Sequence, residues 1–257
     1  MERVLNYSDL KTKMVYWLKD YATKNNINAF VIGVSGGIDS AVSSTLAAST
    51  GLPVYAIGMP IHQKAEQETL SDSHLEWLQT NFENVIVQKF DLTELFETFK
   101  LSLKEFGGDT HALANTRSRL RMVTLYQVAT SVGGIVVGTG NKVEDYGVGF
   151  YTKYGDGGVD IAPIADLYKT EVWELGRHLG VDQRIIDASP TDGLWDDGRT
   201  DEDQIGTSYE MLEWVMEKGL TEDPMFLSEE QTLAINIYQK FHKQNKHKMV
   251  SIPTFKL

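Results

Sequence analysis

The 257-residue sequence predicts a doubly wound α/β fold, with a mostly parallel five-stranded sheet and helices on both faces. Short apolar runs rich in β-branched residues alternate with longer amphipathic stretches, which is typical of βαβ units. The first run, at residues 29–34, is apolar at nearly every position, as a strand buried on both faces requires. Hydrophobic residues make up 42% of the chain, enough for a large core. We expect residues 1–257 to form one domain.

The predicted elements follow a regular order along the chain. Ser8 is expected to cap a first helix, whose apolar residues Leu10, Met14 and Leu18 share one face. Four strands can be assigned, at residues 29–34, 53–59, 84–90 and 134–139. Helices are predicted at residues 41–50, 65–80, 91–105, 112–132, 168–179, 203–218 and 228–246. The Gly-rich segment between the fourth strand and residue 168 is too long for a simple connector, which indicates a functional loop.

The composition excludes several classes of protein. The formal net charge is −12, so general DNA or RNA binding is not expected. The chain has no cysteine, which excludes disulfides, thiolate zinc sites and cysteine nucleophiles within it. The N-terminal M-E-R-V-L-N-Y-S-D-L has no apolar signal core, and no apolar stretch is long enough to span a bilayer. A cytoplasmic protein is expected.

The first motif that suggests chemistry is S-G-G-I-D-S at residues 35–40, between a predicted strand and a predicted helix. Its glycines let the backbone turn tightly, and the helix N-terminus offers free N–H groups to an anion. The motif lacks the lysine of the common phosphate loop. Because Asp39 would repel phosphate unless Mg²⁺ bridges them, the motif indicates a metal–pyrophosphate site. The alternative is a strand–helix turn capped by Asp39 or Ser40.

This motif resembles the pyrophosphatase loop of the N-type ATP pyrophosphatases, which split ATP into AMP and pyrophosphate to activate a substrate oxygen. The resemblance implies an ATP site, with Asp39 as a catalytic residue and a Mg²⁺ ligand. The loop residues that it assigns to ATP binding are Gly33, Val34, Ser35, Gly36, Gly37, Ile38, Asp39 and Ser40.

Further stretches resemble, in the same order, the ammonia-dependent NAD synthetases of that superfamily. They are A-N-T-R-S-R-L-R-M at 114–122, G-T-G-N-K-V-E at 138–144, F-Y-T-K-Y-G-D-G-G-V-D-I-A-P at 150–163, L-Y-K-T-E-V-W-E-L at 167–175 and S-P-T-D-G-L-W at 189–195. Ordered matches support one another, because independent chance matches multiply. Two departures concern loop closure: Met249 follows the C-terminal His-Lys pair, and T-D-G-L replaces the more usual S-A-D-L or T-A-D-L.

On the ATP side, the resemblance implies that Thr139 and Thr191 contact ATP, that catalytic Lys169 reaches its phosphates, and that Glu144 is a second Mg²⁺ ligand. Thr139 and Glu144 follow a predicted strand, where ligands bind in open parallel sheets. Lys169 lies in the first turn of a predicted helix and opposes the helix dipole, which disfavours a purely structural role. The alternatives are a strand-ending turn for the segment with Thr139 and Glu144, a solvated side chain for Lys169 and a turn after Pro190 for Thr191.

The three arginines at positions 117, 119 and 121 are crowded on one predicted helix. Arg117 and Arg121 share a face, whereas Arg119 points elsewhere. Arginine binds phosphate and carboxylate in a bidentate manner, so the cluster indicates either an anion site or a solvated basic face. The resemblance favours Arg119 as a contact to the substrate deamido-NAD.

The remaining predicted contacts to deamido-NAD lie in the Gly-rich segment and near the C-terminus. By resemblance they are Lys153, Asp160, His247 and Lys248, and Asp156 is a further catalytic candidate. A flexible surface loop is the alternative for the Gly-rich segment. Ordinary helix capping is the alternative for the C-terminal pair.

The reaction implied by the resemblance is amidation of deamido-NAD. The nicotinate carboxylate attacks the α-phosphorus of ATP, giving an acyl-adenylate and pyrophosphate, and free ammonia then displaces AMP to give NAD. Closure of the acidic loop at residues 192–203 would exclude water. The resemblance also implies Mg²⁺ as cofactor and a homodimer with the substrate at its interface. A separate glutaminase subunit that supplies ammonia stays open.

Other functions stay open at this point. A GMP synthetase-like ligase is disfavoured, because such ligases lack the Y-T-K-Y-G-D-G-G stretch that this chain has. The tRNA-modifying relatives fit poorly with its acidic net charge. A non-catalytic adenine-nucleotide sensor would need the anion site but not the paired carboxylates Asp39 and Glu144. A structural α/β domain with incidental motifs is the remaining alternative.

Overall fold

The computed structural model describes residues 3–106, 108–191 and 199–256. Its strands are β1 (Phe30–Gly33), β2 (Val54–Gly58), β3 (Val85–Lys89) and β4 (Ile135–Val136). They form one sheet in the order β3-β2-β1-β4, and every neighbouring pair is parallel. The predicted fold class is confirmed.

The prediction of five strands is wrong for the described part of the chain, where the sheet has four. The segment that follows β4 makes only one further parallel bridge, between Val137 and Ile161. The carboxylate of Asp160 accepts a hydrogen bond from the backbone N–H of Val136 at 2.8 Å. In a regular sheet, a backbone carbonyl of the neighbouring strand would accept this bond. Side-chain pairing of this kind competes with a regular ladder, so the pairing does not extend.

Helices cover most of the remaining described chain. They are α1 (Tyr7–Lys24), α2 (Ile38–Ala48), α3 (Ala65–Asn81), α4 (Thr93–Ser102), α5 (Thr110–Val132), α6 (Lys169–Leu179), α7 (Gln183–Ile186), α8 (Asp201–Ile205), α9 (Tyr209–Glu217) and α10 (Glu229–Met249). No helix among the described residues is both long and apolar enough to cross a membrane.

The two faces of the sheet bury separate hydrophobic clusters. Phe30 and Ile32 of β1 point to one face, which α1, α2, α3, α6 and α7 cover. Val31 points to the other face, which α4 and α5 cover. Because side chains alternate along a strand, a strand buried on both faces must be apolar throughout, as β1 is. A third cluster joins α8, α9 and α10 to Val143 and Val148.

Two predicted helices differ in detail from the structure. Helix α1 begins at Tyr7 and is capped by Asn6, whose side chain accepts hydrogen bonds from Ser8 N and Asp9 N, so the prediction of Ser8 as cap is wrong. The predicted helix at 203–218 is two helices, because Gly206 adopts φ +95° and ends α8. A left-handed glycine is a common helix terminator.

Strand order places a crevice between β1 and β4. The chain proceeds outward from β1 to β2 and β3, and then returns to place β4 on the other side of β1. At such a switch point the loops after the two flanking strands diverge, and ligands bind at the carboxyl ends of those strands. The loop after β1 carries S-G-G-I-D-S, and the loop after β4 carries G-T-G-N-K-V-E.

The buried side chain of His74 predicts a pH dependence of stability. It is 1% exposed, and its Nε2 lies 3.0 Å from Ser44 Oγ. Burial, opposed by a backbone hydrogen bond to Ala41, lowers the pKa of His74 to about 4. Because this lies below the unfolded value of about 6.5, the unfolded chain binds more protons as the pH falls, and stability is lost between those two values.

We expect this histidine to reduce the free energy of unfolding by about 2 kcal/mol on going from about pH 7 to about pH 5. Urea denaturation of the wild type and of His74→Gln at both pH values measures the effect. The variant should lose less stability over this range than the wild type does. Parallel curves for the two proteins would rule out the titration of this residue as the cause.

Candidate active site

The S-G-G-I-D-S loop is shaped by its own serines. Ser35 N–H donates to Ser40 Oγ at 3.2 Å, and Ser40 Oγ–H donates to Gly37 O at 2.9 Å. Gly37 is the N-cap residue of α2, and no side chain caps this helix. The expected alternative cap, Asp39 or Ser40, is therefore wrong. An uncapped helix N-terminus beside a glycine-rich loop is suited to bind an anion.

Asp39, Glu144 and Lys169 converge where the two loops face each other. Lys169 Nζ lies 2.5 Å from Asp39 Oδ2 and 2.9 Å from Glu144 Oε1. The lysine side chain is 2% exposed, and the carboxylates are 17% and 15% exposed. Burial disfavours the charged lysine, but the two carboxylates outweigh it and raise the pKa of Lys169, so it stays protonated. These residues form a charged cluster at the crevice, here called the Asp39–Glu144–Lys169 cluster.

Neutral side chains fix the carboxylates of this cluster. Tyr209 of α9 is fully buried and donates its hydroxyl to Glu144 Oε1 at 2.6 Å. Asn141 donates to Asp39 Oδ1 at 3.3 Å, and its carbonyl accepts the N–H groups of Val143 and Glu144. Burial would raise the pKa of Glu144, but Lys169, Tyr209 and Asn141 together lower it. Glu144 is therefore held as an anion.

Glu144 lies on a π-helical turn, Lys142–Val148, which the sequence analysis missed. Such turns insert a residue into a helical path and are frequent at functional sites. The carboxylate of the next residue, Asp145, packs against Gly140. A larger residue at position 140 would clash with it, because an added Cβ would lie 2.0 Å from Asp145 Oδ2. Burial, followed by the charges of Glu144 and Asp156, raises the pKa of Asp145 to about 8.

Asp156 is held by groups on α5 and on its own loop. Ser118 Oγ–H donates to Asp156 Oδ1 at 2.6 Å, and Thr152 N–H donates to the same oxygen at 3.1 Å. Ser118 Oγ also accepts the backbone N–H of Asp156 at 2.9 Å. The contacts of Asp156 therefore fix one of its two carboxylate oxygens.

Three predicted substrate residues are joined to one another by hydrogen bonds. Arg119 Nε donates to Lys153 O at 3.2 Å, and Lys153 Nζ donates to His247 O at 3.3 Å. The side chains of Arg119 and His247 are exposed. The fold thus brings α5, the Gly-rich loop and the end of α10 into one basic surface.

Other predicted site residues engage protein groups. Asp160 accepts from Tyr126 Oη at 2.9 Å as well as from Val136 N. Lys248 Nζ donates to Gly149 O and Tyr151 O at 2.9 and 2.8 Å. These bonds tie α10 and β4 to the Gly-rich loop, so the roles of Asp160 and Lys248 in substrate binding stay predictions.

Arg121 and Thr191 also bond to the protein. Arg121 Nε donates to Met59 O at 2.9 Å, and its Nη2 donates to Gln63 Oε1 at 3.0 Å. Thr191 donates to Arg199 O at 3.2 Å. Thr139 is half-buried in the loop after β4, on the way to Asn141. The predicted closing loop at 192–203 lies outside the described residues for its positions 192–198.

The donors in the Asp39–Glu144–Lys169 cluster fit a hard divalent cation that binds with phosphate. The lysine ammonium already lies between the two carboxylates, as a cation held by both. Mg²⁺ is usually bound by one or two carboxylates together with substrate phosphates. Among residues 3–106, 108–191 and 199–256, no three His, Asp or Glu side chains form a metal site of their own. The fit is therefore to a metal–nucleotide complex.

Comparison with known proteins decides the family. The family model described as NAD synthase matches residues 10–253. The chain belongs to the NAD synthase family. The predicted resemblance is confirmed at this level, and the chain is a ligase-type enzyme. The NH(3)-dependent NAD(+) synthetase of Carboxydothermus hydrogenoformans is 37% identical over 84% of this chain and 87% of the relative. That of Methanosarcina acetivorans is 33% identical over 97% and 98%.

Two solved structures share the fold. The NMN synthetase from Francisella tularensis superposes with a TM-score of 0.87, is 32% identical, and covers 99% of this chain and 100% of its own. The NH3-dependent NAD synthetase from Campylobacter jejuni has a TM-score of 0.76 at 24% identity, covering 98% and 100%. The second comparison bears on the fold alone.

Asn141, Asp145 and Tyr209 were missed by sequence reasoning. Asn141 and Asp145 lie within or beside G-T-G-N-K-V-E, so their position after a predicted strand was a usable signal. Tyr209 gave none, because an aromatic residue on an amphipathic helix is ordinary core. It reaches Glu144 only through the packing of α9 against the π-helical turn.

Proposed function

We propose that this chain amidates deamido-NAD with ammonia at the expense of ATP, giving NAD, AMP and pyrophosphate. The observation that carries this proposal is the Asp39–Glu144–Lys169 cluster at the crevice of a NAD synthase-family chain. The cluster faces an uncapped helix N-terminus suited to phosphate. Curated relatives across the family are named NH(3)-dependent NAD(+) synthetases.

The chemistry proceeds in two displacements. The carboxylate oxygen of the substrate bonds to the α-phosphorus, the bond from that phosphorus to the pyrophosphate oxygen breaks, and pyrophosphate leaves. The nitrogen of ammonia then bonds to the carbonyl carbon, the carbon–oxygen bond to AMP breaks, and one proton is released. The loop N–H groups and Lys169 stabilise phosphate charge in the first displacement. Arg119 and Lys153 offer positive charge to the anionic substrate.

Asp39 and Glu144 would hold Mg²⁺ in this enzyme. When bound there, the ion neutralises phosphate charge and assists the departure of pyrophosphate. Tyr209 and Asn141 keep the two carboxylates in position through bonds that do not depend on the metal.

Ammonia is proposed as the nitrogen donor. The chain contains no cysteine, so it does not carry a cysteine nucleophile to release ammonia from glutamine. Asp156 has one oxygen fixed by Ser118 and Thr152, and it is the proposed acceptor for N–H groups of the incoming nitrogen.

A second candidate substrate is nicotinate mononucleotide. The observation that favours it is the likeness to the Francisella tularensis NMN synthetase along the full length of both chains, at 32% identity. Both substrates carry the same nicotinate carboxylate, so the proposed chemistry is unchanged. They differ in the presence of the adenylate half.

The test is NAD, NMN, AMP and pyrophosphate formation from Mg²⁺-ATP and ammonium, with either nicotinate nucleotide. Amide product and AMP should appear in equal amounts and only when every component is present. The ratio of kcat/KM for the two nucleotides decides between the dinucleotide and the mononucleotide. If neither nucleotide stimulates AMP release, the proposed function is wrong.

We also propose a cytoplasmic homodimer. Apolar side chains are exposed in α4, in the segment that follows it and along α5, and a second copy of the chain would bury them: Leu101, Phe106, Val123 and Tyr126. Sedimentation equilibrium should give twice the chain mass of 28.8 kDa. A monomer at micromolar concentration would contradict the dimer, and recovery of the native protein in a membrane fraction would contradict the location.

A further inference from the structure

The position of Lys169 is unusual for a lysine. It is the first residue of α6, where the positive end of the helix dipole disfavours a cation. Its side chain is 2% exposed, and lysine is almost never buried unless it is paired. Its close charge partners are Asp39 and Glu144, which come from the loops after two different strands. The ammonium is thus held against burial and the helix dipole mainly by these two carboxylates, with a smaller contribution from the charge of Asp201.

The same two carboxylates are the proposed metal ligands. Without a cation between them, two buried carboxylates that share one site repel each other. The Lys169 ammonium supplies that cation at 2.5 and 2.9 Å. A divalent ion bound by the same oxygens requires the ammonium to leave them. Lys169 and the metal therefore compete for one position.

We propose that Lys169 is the resting counter-ion of the metal site. Its ammonium holds Asp39 and Glu144 together, keeps free divalent metal out, and moves to the phosphates when metal arrives with the nucleotide. This inference rests on the proposed function, because that function makes these carboxylates the metal ligands.

Charge explains why the nucleotide is needed for the exchange. The three residues together carry one net negative charge while the lysine is bound. Free metal that displaced the ammonium would leave a buried cation without a partner, which is strongly unfavourable. A bound nucleotide offers the displaced ammonium new anionic oxygens. Metal and nucleotide should therefore bind with positive coupling, each raising the affinity for the other.

The rest of the site can survive this exchange. Tyr209 donates to Glu144 Oε1 and Asn141 donates to Asp39 Oδ1, and both bonds are independent of Lys169. The carboxylates thus keep their placement when the ammonium leaves. Only the flexible lysine side chain has to move.

Binding of Mn²⁺ without nucleotide, followed by electron paramagnetic resonance, tests the proposal on the purified full-length chain. We expect Lys169→Met to bind Mn²⁺ about 100-fold more tightly than the wild type, because the competing cation is gone. Lys89→Met is a matched control. Lys89 also bridges two carboxylates, Glu68 at 2.7 Å and Asp72 at 2.8 Å, but on the exposed surface. It should leave Mn²⁺ affinity at the wild-type value.

Further variants keep the test decisive. Lys169→Gln retains a neutral donor between the carboxylates and serves if the methionine variant does not fold. Lys169→Met combined with Asp39→Asn should lose the gained affinity. Equal Mn²⁺ affinity in the wild type and the Lys169 variants, or tight binding by the wild type without nucleotide, would overturn the proposal. The assay involves no turnover, so its result is separate from failure to form NAD or NMN.

Discussion

Asp39→Asn should reduce the rate of AMP formation by about 1000-fold or more, without loss of stability. The substitution removes one of the two carboxylates that would hold the metal–nucleotide complex. It also leaves Glu144 and Lys169 as a balanced pair, 2.9 Å apart, in place of a cluster with excess negative charge. The melting temperature should therefore equal or exceed that of the wild type. Steady-state kinetics and differential scanning calorimetry measure the two effects.

Asp72→Asn is the matched control for this substitution. Asp72 also pairs with a lysine, Lys89, at 2.8 Å, but both side chains are exposed. Exposed pairs contribute little, so activity and stability should stay near the wild-type values. If Asp39→Asn kept a tenth of the wild-type rate, Asp39 would not be a metal ligand. If it unfolded, the charge argument would be wrong.

Gly36→Ala should destabilise the protein by about 2–4 kcal/mol and abolish tight ATP binding. Gly36 adopts φ +87°, and an added Cβ would lie 2.8 Å from both Gln67 O and Ser71 N. These are backbone atoms of α3, so the helix or the loop must move. Ser71 Oγ also donates to Val34 O at 2.8 Å, which ties the same helix to the loop. Urea denaturation and calorimetric titration with ATP measure the two losses.

Gly51→Ala separates backbone conformation from crowding. Gly51 adopts a similar φ of +77°, but nothing lies within 4 Å of the added Cβ. The variant should lose only about 1–2 kcal/mol of unfolding free energy, which is the cost of a left-handed backbone conformation at alanine, and it should retain ATP binding. Equal destabilisation by the two substitutions would mean that the contact between the loop and α3 is unimportant.

Charge balance connects these predictions with the proposed role of Lys169. The chain is strongly acidic overall, yet its proposed substrates are anions. Its cations must therefore be placed locally, and the structure places Lys169 beneath the phosphate loop and Arg119 and Lys153 at its rim. Asp39→Asn and Lys169→Met perturb the same balance in opposite directions, so their effects on metal affinity should have opposite signs.

The sequence by itself determined the fold class and most of the elements. The runs at 29–34, 53–59 and 84–90 became β1, β2 and β3, because an apolar β-branched run has few alternatives inside a large core. The glycine-rich loop between a strand and a helix indicated Asp39, and the resemblance of their motifs to the NAD synthetases indicated Glu144 and Lys169 as members of the same site.

Only the tertiary structure decided how these residues meet. Strand order brought the loops after β1 and β4 together, and contacts across more than 100 residues of chain depend on that order. The buried hydroxyl of Tyr209 reached Glu144 through helix packing, which leaves no local pattern in the sequence. The prediction of a fifth strand was wrong for a similar reason. The Asp160 carboxylate accepts a hydrogen bond from the Val136 N–H, which a fifth strand would have used to pair with β4. Local propensity fixes periodicity and turns, whereas which polar groups become partners depends on long-range packing.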